Sequence, residues 1–314
     1  MQVVLNTEPA ALVVSAAQTI VGKWFAFLNV KANSQKTYLR ALKKFFEFLA
    51  ATGKTWNTCG RADLAIYLNE LQTLKPTTRA LYLQAVKLFY KFANAEGYTP
   101  NNIAEHLKVK GVKHTDFKKD NLTNTQTACL LSACGSDING VRNKALIALM
   151  ATAGLRVCEI ASAKVGDLEN TNGDWILRIL GKGRADKNEF VKIAPQVLGL
   201  LKTYFELRGV LAADEPLFAC HGKRNNNQAL TTRTISFIVK ETMRKAGFDS
   251  PRLTAHSLRH TAAVLMMMGG ATLDDVKQVL RHTDSKTTQI YTHRVERIKN
   301  NSEARAADLI FCEA

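Results

Sequence analysis

The sequence predicts a mainly α protein of two domains: an N-terminal helical bundle, then a mostly helical domain with a small antiparallel β-sheet. Three observations predict it. Apolar residues recur at helical spacing along most of the 314 residues. One stretch, from Trp175 to Ile193, changes to a strand-like pattern broken by a glycine-flanked turn. Residues 108–120, KVKGVKHTDFKKD, are polar and basic with one glycine and no apolar period, as a linker is. The expected division is therefore 1–110, a linker over 111–120, and a second domain over 121–314.

In the first domain an amphipathic run from Ala16 to Val30 carries Ile20, Trp24, Phe25 and Leu28. Ser34 is expected to cap a second helix, where Leu39, Leu42, Phe46 and Leu49 form the apolar stripe. Its other face shows Lys36, Arg40, Lys43 and Lys44. A third helix spans Arg61 to Leu74, and a fourth follows Pro76, a residue suited to the first helical turn. In the fourth, Leu81, Ala85, Leu88 and Phe92 make the stripe opposite Arg79, Lys87 and Lys91. Residues 1–110 hold 14 basic and 6 acidic side chains, a denser positive excess than the remainder, so these faces are expected to meet a polyanion.

In the second domain Thr123 reads as the cap of a helix carrying Leu130 and Leu131. Asn139 to Ala153 is a strongly apolar helix that Gly154 breaks. The strands are expected at Trp175–Leu180 and Glu189–Ile193, around a turn at Gly181–Arg184. Helices over Val197–Leu207 and Thr231–Ala246 flank a loop, His221–Asn227, and the loop with Arg233 is expected to rest on a nucleic-acid backbone. In the last third Gly269-Gly270 close one helix, and Thr272 with Asp275 forms a capping box that opens the next. Ser285 is the expected cap of a further short helix.

Composition narrows the partners. Lysine and arginine number 43 against 27 acids, a net charge of +16, while 46% of residues are apolar. That describes a folded basic protein with a polyanion for partner, nucleic acid before membrane. The six cysteines, from Cys59 to Cys312, show no C-x-x-C pair or framework spacing, which fits free thiols in a reducing cytoplasm. The apolar segment Ala10–Val14 is short and lacks a basic leader, and no stretch approaches the ~20 apolar residues of a membrane span. No metal is expected: His256 and His260 stand four apart, but Ser257 occupies the place where an H-E-x-x-H helix needs glutamate. No phosphate-binding G-x-x-x-x-G-K-[ST] loop is present, so no nucleotide cofactor is expected either.

The chemistry concentrates between Thr254 and His293, which holds His256, Arg259, His282 and Tyr291. His256 and Arg259 are three apart and so share one helical face. A guanidinium forks onto two phosphate oxygens without losing its proton. A phenol is a covalent nucleophile once a partner assists it, because its pKa of about 10 leaves it protonated at neutral pH. Histidine is the usual assistant. The set suits chemistry on a phosphodiester.

The runs His256-Ser257-Leu258-Arg259-His260, Leu280-Arg281-His282 and Thr287–His293 resemble the signature of the tyrosine recombinases, the phage-type integrases and Xer-like resolvases. Gly154-Leu155-Arg156-Val157-Cys158-Glu159 resembles that family's first box, G-L-R-x-x-E. One departure is visible: the usual L-G-H reads Leu280-Arg281-His282.

The resemblance implies a SAM-like core-binding domain at the N-terminus and a C-terminal catalytic domain, which clamp double-stranded DNA. It implies Tyr291 as nucleophile to a 3′-phosphotyrosyl link, with Arg156 and Arg259 on the phosphate. His256 and His282 then assist by proton transfer or hydrogen bonding, and Lys182 in the hairpin turn protonates the leaving 5′ oxygen, with Lys187 the alternative. Glu159 orients Arg156 or a histidine, and His260 packs beside the site. No cofactor is required, since the phosphotyrosine stores the energy of the broken bond. A homo-tetramer on two DNA sites is expected in the cytoplasm, with Leu309, Ile310 and Phe311 of the tail docking on a neighbour. The other readings are a monomeric type IB topoisomerase-like enzyme and a DNA-binding module whose site is idle.

Overall fold

A computed structural model describes residues 20–107, 120–181, 186–222, 226–281, 300 and 302–311. The chain divides into two compact units, Met1–His114 and Thr115–Ala314.

In the first unit residues 20–28 form α1, followed by α2 (Ala32–Ala51), α3 (Arg61–Glu70) and α4 (Pro76–Ala95). Pro76 stands in the first turn of α4, where its missing N–H costs nothing. Aromatic rings fill the core: Trp24 meets Phe89 edge-on at 6.0 Å, and Phe45 meets Tyr67 at 5.0 Å. Four expectations change. Helix α2 opens at Ala32 after Lys31, so Ser34 lies within the first turn and does not cap it. Its buried residues are Ala41, Leu42, Phe45, Phe48 and Leu49, while Leu39 is 48% exposed. The face α4 buries runs through Leu83, Val86, Phe89, Tyr90 and Ala93 as well as Ala85 and Phe92. A four-residue stripe is too narrow for a helix that meets neighbours on two sides, so the apolar face is wider than its sequence spacing suggests. Helix α3 ends at Glu70 and yields to a single 3-10 turn, Leu71–Thr73.

Of the N-terminal cations singled out from sequence, Lys36, Arg40, Lys43 and Lys91 are exposed, and Lys44 and Arg79 are half-buried. Lys87 donates to the Leu107 carbonyl at 3.1 Å. The expected linker falls almost wholly outside the described residues, as do Lys182, His282, Ser285 and Tyr291.

The second unit runs α5 (Asn124–Ser132), α6 (Ile138–Ala153), α7 (Val157–Ala161), β1 (Leu168–Thr171), β2 (Asp174–Ile179), β3 (Glu189–Lys192), α8 (Pro195–Arg208), α9 (Thr232–Lys245), α10 (Ala255–Met268) and α11 (Leu273–Leu280), with a later helix at Ser302–Phe311. Helix α6 is central, packed against α8 and α10, with Leu146, Ile147, Leu149 and Met150 fully buried. Side chains fix where helices begin. Thr123 accepts from the Gln126 N–H at 3.1 Å and Gln126 returns the bond at 2.9 Å. Asp137 caps α6 and Thr231 caps α9 in the same manner. Thr272 and Asp275 form the box read from sequence, at 3.2 Å and 2.9 Å.

The sheet is antiparallel in the order β1-β2-β3, with Leu168 opposite Leu177 and Ile179 opposite Glu189. The hairpin expected from sequence is β2-β3. Strand β1 is an addition, joined to β2 through Asn172 and Gly173, both at positive φ (53° and 88°) as a type I′ turn requires. Among the described residues no helix is long and apolar enough to cross a membrane, and no three metal-ligating side chains cluster.

Candidate functional site

The site is built where α6 stops. Gly154 takes the left-handed conformation, φ 61°, and ends the helix. A Cβ there would lie 2.3 Å from Leu280 Cδ2, so glycine also permits the close approach of α11. Leu155 is buried, and the chain turns through extended backbone at Arg156, φ −76° and ψ 151°, to start α7. Arg156 thus precedes the short helix; it does not sit inside it. Glu159, one turn on and 1% exposed, turns back toward it. Its Oε2 accepts the Arg156 backbone N–H at 2.7 Å, and its Oε1 accepts from Arg156 Nη1 at 2.7 Å. One carboxylate therefore caps α7 and holds the arginine side chain.

Helix α10 brings the second guanidinium. Arg259 is 2% exposed, and its Nη1 donates to the Gly154 carbonyl at 2.6 Å while Nη2 donates to the Leu280 carbonyl. His256, one turn earlier, is exposed, so the shared face holds a buried cation beneath a surface imidazole. His260 is half-buried, its ring edge-on to His256 with centroids 4.7 Å apart. A cleft of about 460 Å³ opens beside His256, lined in part by Val157, Ser236, Lys240 and Thr254. Arg233 is exposed at the start of α9.

Helix α11 supplies the meeting point. Its last carbonyls have no intrahelical N–H to receive and carry the negative end of the helix dipole. Three guanidiniums fill that role: Arg281 donates to the Val279 carbonyl, Arg259 to that of Leu280, and Arg156 to that of Arg281 at 3.4 Å. Arg281 itself is the left-handed closing residue, φ 54°. Its Nη2 lies 2.8 Å from Glu159 Oε2 and its Nε 3.6 Å from Glu189 Oε2. Burial pushes its guanidinium below the ordinary range, opposed by the charge of Glu159, and arginine keeps its proton even so.

Arg156 and Arg259 are thus brought together, with Glu159 between Arg156 and Arg281. His282, Tyr291 and Lys182 lie outside the described residues. Two alternatives to them are described. Tyr204, the other tyrosine of the second half, is fully buried, its phenol 2.8 Å from His221 Nε2 and accepting from the Ala219 N–H at 3.1 Å. Burial raises its pKa, which opposes the phenolate an attack needs. Lys187 is ion-paired to Asp167 and donates to the Ser162 carbonyl at 3.1 Å. Sequence reasoning missed Arg281 as a member of this cluster. The departure from L-G-H was the available signal, but its acidic partners are distant in the chain.

Comparison with known proteins follows the same lines. The model of the phage integrase family matches residues 120–297, and that of the phage integrase N-terminal SAM-like domain matches residues 22–97. The chain is 34% identical over 157 residues to tyrosine recombinase XerC of Leptospira interrogans, covering 50% of this chain and 48% of that protein. It thus spans about half the length of the curated relatives it matches at this identity. Tyrosine recombinase XerD of Vibrio cholerae is 28% identical over 290 residues, covering 90% of this chain and 94% of that protein. In fold the chain resembles the XerH site-specific recombinase bound to palindromic difH substrate, with a TM-score of 0.73 and 24% identity over 88% of this chain and 81% of that one. The matched segment, residues 120–297, is more than half of the chain and contains the whole arginine cluster, and the chain belongs to the phage integrase family.

Proposed function

We propose that the chain is a site-specific tyrosine recombinase that cuts and rejoins double-stranded DNA, for movement of a mobile element or resolution of DNA multimers. The observation that carries this reading is the convergence of Arg156, before α7, and Arg259, on α10, on successive carbonyls at the end of α11. In the sequence His282 comes directly after Arg281, and Tyr291 nine residues later.

In this reading Arg156 and Arg259 stabilise charge on the scissile phosphate while Tyr291 attacks in line. His256 and His282 assist the transfer of the phenolic proton, and Lys182 protonates the 5′ oxygen as it leaves. The 3′-phosphotyrosine is reversed when a 5′ hydroxyl attacks it, so no external energy source is consumed. The basic faces of the first unit add backbone contacts, which hold the duplex without reading its sequence. Assembly into a tetramer is part of the proposal. Ile310 and Phe311, 67% and 82% exposed on the Ser302–Phe311 helix, are apolar groups suited to a second copy of the chain.

The test is covalent trapping. The chain is incubated with supercoiled plasmids carrying fragments of its own genomic neighbourhood, denatured, and the DNA bound to protein recovered and sequenced. One recurrent site is expected for the wild type, and Tyr291→Phe should still bind that site while giving no adduct. Arg156→Ala should slow adduct formation by about 10²–10³. An adduct that survives Tyr291→Phe would remove the assignment. Truncation before Ala306 should leave cleavage but impair strand exchange between two sites; plasmid relaxation without recombinants from the full chain would favour the topoisomerase-like reading.

A further inference from the structure

Arg281 is an unexpected residue in its place. It closes α11 at φ 54°, a backbone region that glycine enters freely and a long side chain does not. It is also a cation whose side chain is only 8% exposed. Both features disfavour arginine unless its guanidinium makes bonds that nothing smaller could make. Its guanidinium bonds Glu159 of α7 at 2.8 Å and forms a looser charge pair, at 3.6 Å, with Glu189 at the start of β3, two carboxylates from distant segments. Glu159 is shared: its Oε1 holds Arg156 Nη1, and its Oε2 takes Arg281 Nη2 together with the Arg156 backbone N–H. The Arg281 carbonyl in turn accepts from Arg156 Nη2.

We propose that Arg281 is a positioning residue for Arg156: by gripping Glu159 and Glu189 it fixes the carboxylate that orients Arg156 and ties the end of α11 to the start of β3. The inference rests on the reading of Arg156 as a phosphate ligand. Charge supports it. Among the described residues three guanidiniums stand against two carboxylates, so Arg281 supplies the positive excess that these groups offer an incoming phosphodiester. Geometry supports it too. Without Arg281 both Glu159 oxygens are held by Arg156 alone, so carboxylate and guanidinium can shift as one unit; the Arg281 bond ties that unit to the end of α11, and small misplacements of such groups are costly in rate. The tie also reaches the hairpin, because Glu189 pairs with Ile179 in the sheet and lies against Gly181, the residue before Lys182.

The test compares Arg281→Gly and Arg281→Lys with the wild type. Glycine suits the backbone and removes the grip; lysine keeps the charge and loses the fork. On the duplex recovered by trapping, R281G is expected to bind within about threefold of the wild type but to cleave roughly 10–100-fold more slowly at saturating DNA. R281K should recover part of that loss. A merely structural role predicts instead a lowered melting temperature with cleavage per folded molecule unchanged. The second measurement is independent of turnover: the side-chain nitrogen resonances of Arg156 are followed by NMR while inorganic phosphate is added. The wild type should show distinct, slowly rotating Nη signals that respond to phosphate, and R281G averaged signals with phosphate affinity reduced about tenfold. Wild-type cleavage by R281G, or unchanged Arg156 signals and phosphate affinity, would overturn the proposal. Failure of the wild type to form any adduct would count against the recombinase reading, leaving the Arg156 spectra to decide on Arg281.

Discussion

Arg259 shows how a residue read from a motif acquires a physical role. Its fork spans the carbonyls of Gly154 and Leu280, which a point charge on a flexible stem cannot do together. Arg259→Lys should therefore leave a buried carbonyl unsatisfied and lower stability by about 1–3 kcal/mol in urea denaturation of the full chain. His221 gives a pH-dependent counterpart. Burial lowers its pKa, with Arg142 and Arg208 acting in the same direction. A folded-state value below the unfolded one means that protonation favours the unfolded chain. The contribution is thus intact above about pH 7 and is lost as the pH falls through roughly 6.5. His221→Gln, which can still meet the Tyr204 phenol, should flatten the melting-temperature profile between pH 7 and 5.5; an unchanged profile would mean that other groups set it. At this scale the sequence marked Arg156, Glu159, His256 and Arg259 as candidates, because their types and spacings form recognisable boxes, and the fold brings Arg156, Glu159 and Arg259 to the end of α11. It did not reveal the work of Arg281, whose partners Glu159 and Glu189 are brought near only by folding.

At the scale of elements, local signals carried furthest where one residue governs one backbone group. Thr123, Thr272 and Gly154 act where the sequence places them, since a cap or a left-handed closure needs no distant partner. Stripe assignments on α2 and α4 slipped, because which face is buried depends on how many neighbours a helix has, and Leu39 ends exposed. Strand β1, Leu-Glu-Asn-Thr, is too short and polar to announce itself, although the Asn172-Gly173 pair after it was a legible hairpin signal. Two substitutions test these points. Thr272→Ala should cost about 1 kcal/mol through loss of the α11 cap. Gly154→Ala should cost more, about 2–3 kcal/mol, since it adds left-handed strain to a clash with Leu280. Equal costs for the two, measured by denaturant titration, would mean that α11 does not pack tightly against the end of α6.

For the whole molecule, the proposed binding to DNA should be strongly salt-dependent, since a chain of net charge +16 would hold the duplex by neutralising phosphates. Lys36, Arg40 and Lys43 are exposed on α2, and reversing all three to glutamate should weaken duplex binding. The slope of log affinity against log salt should fall by about 0.9 for each phosphate that is no longer neutralised. A slope that does not change would place the DNA on another face. Composition and charge point to a polyanion, and the boxes to phosphodiester chemistry, but neither encodes which base pairs would be read. The central claim is that the arginine cluster at the end of α11 serves a phosphotyrosyl transfer. Mass spectrometry of the protease-digested, trapped complex tests it most directly. The account predicts a nucleotide joined through its 3′ phosphate to the peptide containing Tyr291, and attachment to any other residue, or through a 5′ phosphate, would contradict it.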